Sequence, residues 1–196
     1  MDFAEVLTRR RMVRNYTDEA VDRSVLERIV GAGRKAPSAG YTQGQSFVVV
    51  TDPQVRAAIA GLAGESEYVG MGFDPWISRA PAHIIVCVSE AAYHRRYQET
   101  DKLGPEGEIT WPVPYWWVDA GASMMNILLA AVNEGLAAGF LGVHAMGDLK
   151  SLLGIPDQVD PIGIITVGHP AADRRSASLK RGRRPDAVHW GHWDAG

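Results

Sequence analysis

The amino-acid sequence predicts an α+β fold of the three-layer α/β type, in which helices cover a central mixed sheet of four or five strands. Three observations support this class. The 196 residues match the length of one ordinary domain, so we expect a single domain over 1–196. A content of 46% hydrophobic and 22% charged residues is that of a globular protein. Short apolar runs typical of strands alternate with segments in which apolar residues recur at helical spacing.

Two helices are predicted before the first strand. Asp2 can cap a helix that ends at a run of arginines after residue 8. A second helix begins near Asp22, buries apolar residues at helical spacing and ends near Gly33. Residues 36–40 are small and include a proline, so we expect a loop there.

Apolar runs predict the strands, and the segments between them differ in character. Pro53 suits the first turn of a helix that ends near Leu62, and a short helix is expected over 148–153. We expect 64–81 to be irregular and 94–117 to be a long loop, a length typical of functional lids. The predicted strands are 46–51, 83–89, 139–143 and 161–167.

The segment 118–138 predicts an unusual helix. It is rich in Gly, Ala and Ser, nearly free of charge, and apolar all round. We expect it to be buried on every side, with small residues that let another group approach its backbone.

Basic residues concentrate near the two ends of a chain whose net charge is −3. Neither of the two runs contains an acid, and together they hold half of the Lys and Arg residues. Such a pattern suggests one anion site assembled from both ends, although two solvated terminal segments would also explain it. Phosphate on a small molecule suits arginine forks better than nucleic acid does, because the rest of the chain is acidic. The runs are Arg9, Arg10, Arg11 and Arg14, and Arg174, Arg175, Lys180, Arg181, Arg183 and Arg184.

Residues that could carry chemistry themselves are scarce. Cys87 is the single cysteine and lies within an apolar strand, which favours a packing role and excludes an internal disulfide. His189 and His192 are flanked by tryptophans, which favours terminal packing over a metal site. We therefore predict no metal, and a reactive group supplied by a cofactor if the protein is an enzyme.

No segment predicts an export signal or a membrane span. Residues 1–17 contain four arginines and no long apolar core. The most apolar stretch, 120–133, is 14 residues long, against the roughly 18 that a spanning helix needs. We expect a cytoplasmic protein that has no membrane or nucleic-acid partner.

Five stretches, in order, resemble the FMN-dependent nitroreductase family. They are Arg10–Tyr16, similar to the family's "RRSVRxF" opening; 36–43, similar to its "APSAxNxQPW" loop; 119–140, its central helix; 164–170, its closing strand; and 181–185, its basic tail. Together they extend over about residues 2 to 185. The resemblance implies a nitroreductase-like fold, built as an intertwined homodimer with two FMN sites at the subunit interface.

The same resemblance implies the cofactor site. Arginines from both ends would hold the FMN phosphate, and Arg14 would lie beside the N1–C2=O edge, where a fixed cation stabilises the charge formed on reduction. The 37–39 segment would pack on the isoalloxazine of the other subunit, and backbone at Leu141 and Gly142 would face flavin N5. The implied cofactor-binding residues are Arg10, Arg11, Met12, Arg14, Pro37, Ser38, Ala39, Tyr41, Gln43, Leu141, Gly142, Arg181 and Arg183.

The activity implied is that of an NAD(P)H-dependent flavin oxidoreductase. NAD(P)H would reduce the flavin, leave, and be replaced by an electron-poor acceptor such as a nitroaromatic or a quinone, in ping-pong order. No protein side chain is expected to be catalytic. Tyr41 stands where asparagine is usual and Met12 where serine is usual, so we transfer no substrate preference. Aromatic residues predicted to bind substrate are Tyr41, Tyr115, Trp116 and Trp117.

Other functions remain open on the sequence. The same fold supports reductive dehalogenation and flavin fragmentation, and Glu99 with Lys102 in the expected lid could bind a zwitterionic substrate. A protein that binds flavin without catalysis is a further alternative, and nucleic-acid binding through the two arginine runs is the last.

Overall fold

Four strands form a sheet in the order β1-β2-β4-β3, namely β1 (Gln45–Val50), β2 (Ala82–Val88), β3 (Ala137–Leu141) and β4 (Asp160–Gly168). The computed structural model describes residues 1–174, 176–185 and 187–193. All seven residues of β2 are buried, as expected for a strand covered on both faces. The four predicted strands are therefore confirmed, each within a few residues.

Eight α-helices surround the sheet in the described part of the chain. Asp2 and Asp52 cap the first and third: Asp2 Oδ1 accepts the Glu5 N–H at 2.8 Å, and Asp52 Oδ1 accepts the Gln54 and Val55 N–H groups. The helices are α1 (Phe3–Arg9), α2 (Arg23–Gly33), α3 (Pro53–Leu62), α4 (Glu65–Gly70), α5 (Trp76–Arg79), α6 (Glu90–Tyr97), α7 (Tyr115–Asn133) and α8 (Leu149–Leu153); 3-10 turns occupy Ala39–Tyr41 and Ala177–Arg181.

Two hydrophobic cores lie on opposite faces of the sheet. On one face, Ile85 and Ile164 pack with Trp76 and Ile59 from α5 and α3. On the other, strand residues that include Ile84 pack with α2 and α7. Because strand side chains alternate between faces, this arrangement gives the predicted three layers.

The sheet is not mixed as expected, because all three strand pairs are antiparallel. β2 and β3 run in the same direction, but β4 lies between them and pairs antiparallel with both. Among the described residues, parallel pairing is confined to the isolated bridge between Met12 and Ala138.

Two segments expected to be irregular contain helix. Within 64–81, α4 and α5 form, and Glu65 Oε1 accepts the N–H groups of Ile77 and Ser78 at the start of α5. Such a long-range cap leaves no local signal. The expected loop at 94–117 shortens to 98–114, since α6 and α7 take its two ends.

Helix α7 begins three residues earlier and ends five residues earlier than expected. It starts directly after Pro114, and it stops before Gly135, whose φ of 80° is left-handed. Its expected burial on every side is not found in a single chain: Trp117, Val118 and Met125 are 42%, 53% and 41% exposed. The remaining face packs on the sheet. No helix in the described ranges is long and apolar enough to cross a bilayer.

Candidate functional site

Residues 10–17 form an extended N-terminal arm that closes the β3 edge of the sheet. The Val13 N–H donates to the Ala138 carbonyl at 3.1 Å, and the Thr17 N–H donates to the His169 carbonyl at 3.0 Å. The arm is thereby fixed first to β3 and then to the residue after β4.

The arm also contacts the segment that follows β4. Arg11 Nη1 donates to Asp173 Oδ2 at 2.6 Å, and Asn15 Nδ2 donates to the Ala172 carbonyl at 2.7 Å. These contacts bring the N-terminal arginine run against the beginning of the C-terminal one. Arg174 lies nearby, with its Nη1 close to Gly72, and Arg175 falls outside the described residues.

The arginines of the arm face two different environments. Alternation along an extended chain puts Arg10, Met12 and Arg14 on one side and Arg11 with the buried Val13 on the other. The Arg11 side chain is neutralised by Asp173, whereas the side chains of Arg10 and Arg14 have no hydrogen bond or ion pair among the described residues. Two guanidinium groups therefore remain able to bind an anion.

Arg14 is held against aromatic rings. Its guanidinium carbon lies 5.8 Å from the ring centroid of Phe73 and 5.9 Å from that of Trp76, which is buried. Cation–π attraction at this distance favours a fixed cation. The site thus has one positioned positive charge next to an aromatic wall.

The C-terminal arginines are placed less firmly. Arg181 ends the second 3-10 turn, Arg183 follows it, and both are exposed. No hydrogen bond or ion pair joins either of them to the arm in the described parts of the chain. The two arginine runs accordingly meet at Asp173 and Arg174, and the role of Arg181 and Arg183 stays a prediction.

A second candidate element is the 37–43 loop, which precedes β1. Gly40, Tyr41 and Gln43 all have left-handed φ angles, of 62°, 57° and 53°. This region is unfavourable for non-glycine residues, and such strain collects at functional sites. Tyr41 is 77% exposed, so the loop presents an aromatic ring to its surroundings.

Side-chain hydrogen bonds of 2.9 Å or shorter hold this loop in place from within and from outside. Inside it, Ser38 Oγ accepts the Gln43 N–H at 2.8 Å, and Thr42 Oγ1 donates to the Ala39 carbonyl at 2.6 Å. From outside, Asp119 Oδ2 accepts the Ala39 N–H at 2.9 Å, and Arg96 Nε donates to the Gly40 carbonyl at 2.9 Å.

Two tyrosine rings pack directly on the loop backbone. A Cβ on Gly40 would lie 2.8 Å from Tyr97 Cε2, and a Cβ on Gly44 would lie 2.6 Å from Tyr93 Cε2. Both positions therefore require glycine, and α6 serves as a rigid support for the loop.

The arm and the 37–43 loop lie at diagonally opposite corners of the sheet. The loop enters β1 at Gln45, opposite Val88 at one end of β2, whereas the arm contacts Ala138, level with Ala82 at the other end. With about 4.8 Å between strands and 3.3 Å per residue, their separation is roughly 25 Å. One chain therefore does not bring these two groups of site residues together.

The cleft on the Arg11 side of the arm is smaller than a flavin site. This cleft has a volume of about 200 Å³ and lies between the arm and the end of α7. Its lining includes Arg9, Arg11, Leu136 and Pro170. Ligand sites typically begin at roughly 300 Å³. A larger ligand would have to use the other side of the arm, where Met12 is exposed.

The aromatic residues of α7 that were predicted to bind substrate differ in exposure. Tyr115 and Trp117 are exposed, but Trp116 is buried against Tyr93, His94 and Trp111. Trp111, which the sequence analysis did not single out, joins the 98–114 loop to α6 and α7. The feature of the sequence that could have identified Trp111 is its position between prolines in a long polar loop.

An ionic contact reinforces that junction. His94 Nδ1 lies 2.6 Å from Glu108 Oε1, and Trp111 Nε1 donates to the same oxygen at 2.7 Å. The Glu108 carboxylate raises the pKa of His94, and the Trp111 and His94 hydrogen bonds lower the pKa of Glu108. The 98–114 loop is therefore tied to the α6 helix that supports the 37–43 loop.

The remaining predicted residues occupy the end of β3 and the core. Leu141 is buried and Gly142 is exposed directly after β3, which leaves backbone accessible there. Cys87 is buried, and burial raises its pKa to about 11, so it stays a thiol. In the ranges that the structure describes, no three His, Cys, Asp or Glu residues form a possible metal site.

Comparisons with known proteins agree with this architecture. The sequence model of the nitroreductase family matches residues 7–169. The chain is 32% identical over 185 residues to the FMN reductase [NAD(P)H] of Bacillus subtilis, covering 91% of this chain and 68% of that protein. It is 27% identical over 199 residues to the iodotyrosine deiodinase of Haliscomenobacter hydrossis, covering 92% and 84%. The solved NfrA1 nitroreductase of B. subtilis superposes with a TM-score of 0.75 at 21% identity, covering 100% of this chain and 76% of that one.

Proposed function

Because the chain belongs to the nitroreductase family, we propose that this NAD(P)H-dependent, FMN-containing oxidoreductase reduces electron-poor acceptors at a site completed by a second copy of the chain. The N-terminal arm carries this proposal. It holds Arg10 and Arg14 without an acidic partner on one side of the β3 edge, while Arg11 is neutralised by Asp173.

The donors of the arm suit a phosphorylated flavin. An arginine fork matches phosphate oxygens in bidentate geometry, and Arg10 is available for that contact. Met12 offers no hydroxyl, so further neutralisation of the phosphate falls to Arg181 and Arg183. Arg11 remains bound to Asp173 and holds the arm in place for these contacts.

The chain's own residues bind and orient, and the cofactor carries the reaction. FMN, when bound, supplies two-electron chemistry between NAD(P)H and an acceptor. Arg14 stabilises negative charge on the reduced ring, because its cation is held in position by Phe73 and Trp76. Leu141 and Gly142 offer backbone N–H groups at the end of β3. No side chain of this protein is required to exchange a proton.

A homodimer follows from the separation of the site's parts. The arm and the 37–43 loop are roughly 25 Å apart in one chain by sheet geometry, so the loop that reaches a given arm comes from a second copy. The exposed apolar side chains of α7 and α1 offer a surface for this contact. They are Trp117, Val118 and Met125 on α7 and Phe3 and Leu7 on α1.

The acceptor is a flat, electron-poor molecule such as a nitroaromatic or a quinone. Tyr41, Tyr115 and Trp117 are exposed and can contact such a ring, whereas Trp116 is buried against Trp111. NAD(P)H and the acceptor use the same open face in turn, which gives ping-pong kinetics.

Reductive dehalogenation is the second candidate, favoured by the similarity to an iodotyrosine deiodinase. Lys102 Nζ lies 5.9 Å from the Tyr97 ring centroid, within the segment expected to form a lid. The Glu99 carboxylate, however, is bound to Arg96 at 3.0 Å and is not free for an amino group. Turnover of a halotyrosine against a nitroaromatic separates the two functions.

Spectroscopy of the purified protein tests the proposal. We expect a flavin spectrum that is bleached anaerobically by NADH or NADPH and restored by a nitroaromatic or a quinone. A colourless protein that does not take up added FMN would contradict the proposal. A bound flavin that neither nicotinamide reduces would instead indicate a non-catalytic flavin-binding protein.

A further inference from the structure

We propose that Asp119 is a positioning residue of the acceptor site, whose carboxylate holds the strained 37–43 loop so that Tyr41 is presented to the acceptor bound at a second copy. This inference rests on the proposed function. It assigns a role to a buried acid that touches neither the arm nor any exposed part of the site.

The Asp119 carboxylate is energetically unfavourable at a buried position unless it is hydrogen-bonded. It is 7% exposed in the second turn of the apolar helix α7. An acid buried there is retained only with hydrogen-bond partners, and its Oδ2 has two: the Ala39 N–H at 2.9 Å and the Tyr93 O–H at 2.8 Å. Burial raises the pKa of Tyr93, so its hydroxyl remains a donor.

The two anchors act immediately before Tyr41. Asp119 holds the backbone N–H of Ala39, and Arg96 holds the carbonyl of Gly40. Arg96 is fixed in turn by a bidentate contact with Asp101, both distances being 2.7 Å. Left-handed conformations of non-glycine residues persist only where the surroundings over-determine them, and these anchors supply that constraint to Tyr41.

Helix α7 also connects the anchor to the proposed dimer surface. Asp119 faces the 37–43 loop, while Trp117 and Val118, two residues and one residue earlier, are exposed on the helix surface. A loop fixed to α7 is therefore fixed relative to whatever covers that surface. This explains why the anchor lies on α7 rather than within the loop.

Steady-state kinetics of the FMN-loaded enzyme with one nitroaromatic and one quinone provide the main test. The variants are Asp119→Ala, Asp119→Asn, Tyr41→Ala and the double variant Asp119→Ala/Tyr41→Ala. Ser123→Ala is the matched control, since Ser123 is also buried on α7 and its hydroxyl has no hydrogen-bond partner among the described residues. Asp119→Ala leaves two donors unpaired, so we expect the acceptor KM to rise about ten-fold. Asp119→Asn keeps an acceptor oxygen and is expected to stay within about two-fold of the wild type.

The double variant separates positioning from a general effect on stability. If Asp119 acts through Tyr41, Tyr41→Ala produces the same loss, and adding Asp119→Ala to it changes KM by less than about two-fold. Additive losses, or an unchanged KM in Asp119→Ala, would overturn the inference. Should Asp119→Ala fail to fold, Tyr93→Phe removes one of the two bonds, keeps the ring on Gly44, and is expected to show a smaller rise.

Hydrogen exchange distinguishes failure of this inference from failure of the proposed function. We expect the amides of residues 39–43 to exchange faster in Asp119→Ala than in wild type or Ser123→Ala, whether or not the protein reduces an acceptor. Unchanged exchange would overturn the anchoring role itself. If the wild type shows no flavin reduction, but residues 39–43 still exchange faster in Asp119→Ala than in the wild type, only the proposed function is overturned.

Discussion

The Arg11 guanidinium donates to the Asp173 carboxylate at 2.6 Å and joins the N-terminal arm to the segment that leaves β4. The Asp173 side chain is 2% exposed, so the pair is buried on its acidic side. Through it, the protein holds a cationic arm against the sheet edge while Arg10 and Arg14, on the other side of the arm, keep their donors available.

Replacement of Arg11 is expected to affect stability more than flavin binding. Arg11→Ala leaves a buried carboxylate unpaired and should lower the free energy of unfolding by about 3 kcal/mol. Arg10→Ala removes no side-chain hydrogen bond or ion pair among the described residues, so the unfolding of the flavin-free protein should stay nearly unchanged, while FMN affinity falls about ten-fold or more.

Urea unfolding and FMN titration of both variants measure these effects. Arg34→Ala, which removes an exposed arginine at the end of α2, controls for the change in net charge. Loss of FMN affinity in Arg11→Ala at unchanged stability would show that Arg11 serves the cofactor directly.

Arg14 is expected to set the flavin potential. Arg14→Ala removes the cation held by Phe73 and Trp76, so the reduced flavin loses stabilisation and the midpoint potential falls by roughly 30 mV. Reduction by NAD(P)H should slow even where FMN stays bound. Redox titration checks this, with Arg14→Lys as the control that keeps the charge. Equal potentials in wild type and Arg14→Ala would place Arg14 away from the flavin ring.

His83 is expected to make folding stability depend on pH. It is fully buried beside the Ile77 carbonyl, and burial lowers its pKa from 6.5 to about 4. As the pH falls from about 6.5 to about 4, the unfolded chain binds a proton that the folded chain does not, so stability decreases by up to about 3 kcal/mol. Above pH 6.5 the contribution is constant.

Urea unfolding between pH 7 and pH 4.5 measures the slope of the unfolding free energy against pH. In His83→Gln the part of the slope due to this residue should disappear, although the variant is less stable at pH 7. Parallel curves for wild type and variant across this range would assign the acid sensitivity to other groups.

A charge on the exposed face of α7 is expected to dissociate the proposed dimer and to release FMN at the same time. Val118→Asp introduces a carboxylate into the apolar surface that includes Trp117 and Met125, while Val69→Asp makes the same change on exposed α4 as a control. Light scattering coupled to an absorption spectrum reports both properties. A monomer of Val118→Asp that retains FMN would show that one chain suffices for the cofactor.

Features with local causes could be predicted from the sequence. Apolar runs predicted the four strands, and Asp2 and Pro53 predicted two helix starts, because helix-start residues and burial patterns act within a few residues. Helices α4 and α5 were missed because α5 is capped by Glu65, twelve residues before Ile77. The antiparallel sheet also depends on how connections pack, which short patterns do not encode.

The site could be predicted only in part for the same reason. The two arginine runs and the 36–43 segment indicated the arm and the loop. The alternation of side chains along the arm, which separates Arg11 from Arg10 and Arg14, is seen only once the arm is placed at the sheet edge. Asp119 and Trp111 act through contacts with residues 80 and 14 positions away, Ala39 and Tyr97. A single acid in a helix and a single tryptophan in a loop do not indicate these distant contacts in the sequence.

Complementation between two defective copies tests the shared site most directly. One copy carries Arg10→Ala/Arg14→Ala in the arm, and the other carries Gly40→Val, which forces a side chain into Tyr97 at a left-handed φ. Each variant alone should lack flavin reduction by NAD(P)H. Heterodimers purified through two different tags should contain about one reducible FMN per dimer, since one of the two sites receives an intact arm and an intact loop. Heterodimers as inactive as the two parents would show that arm and loop do not meet across subunits.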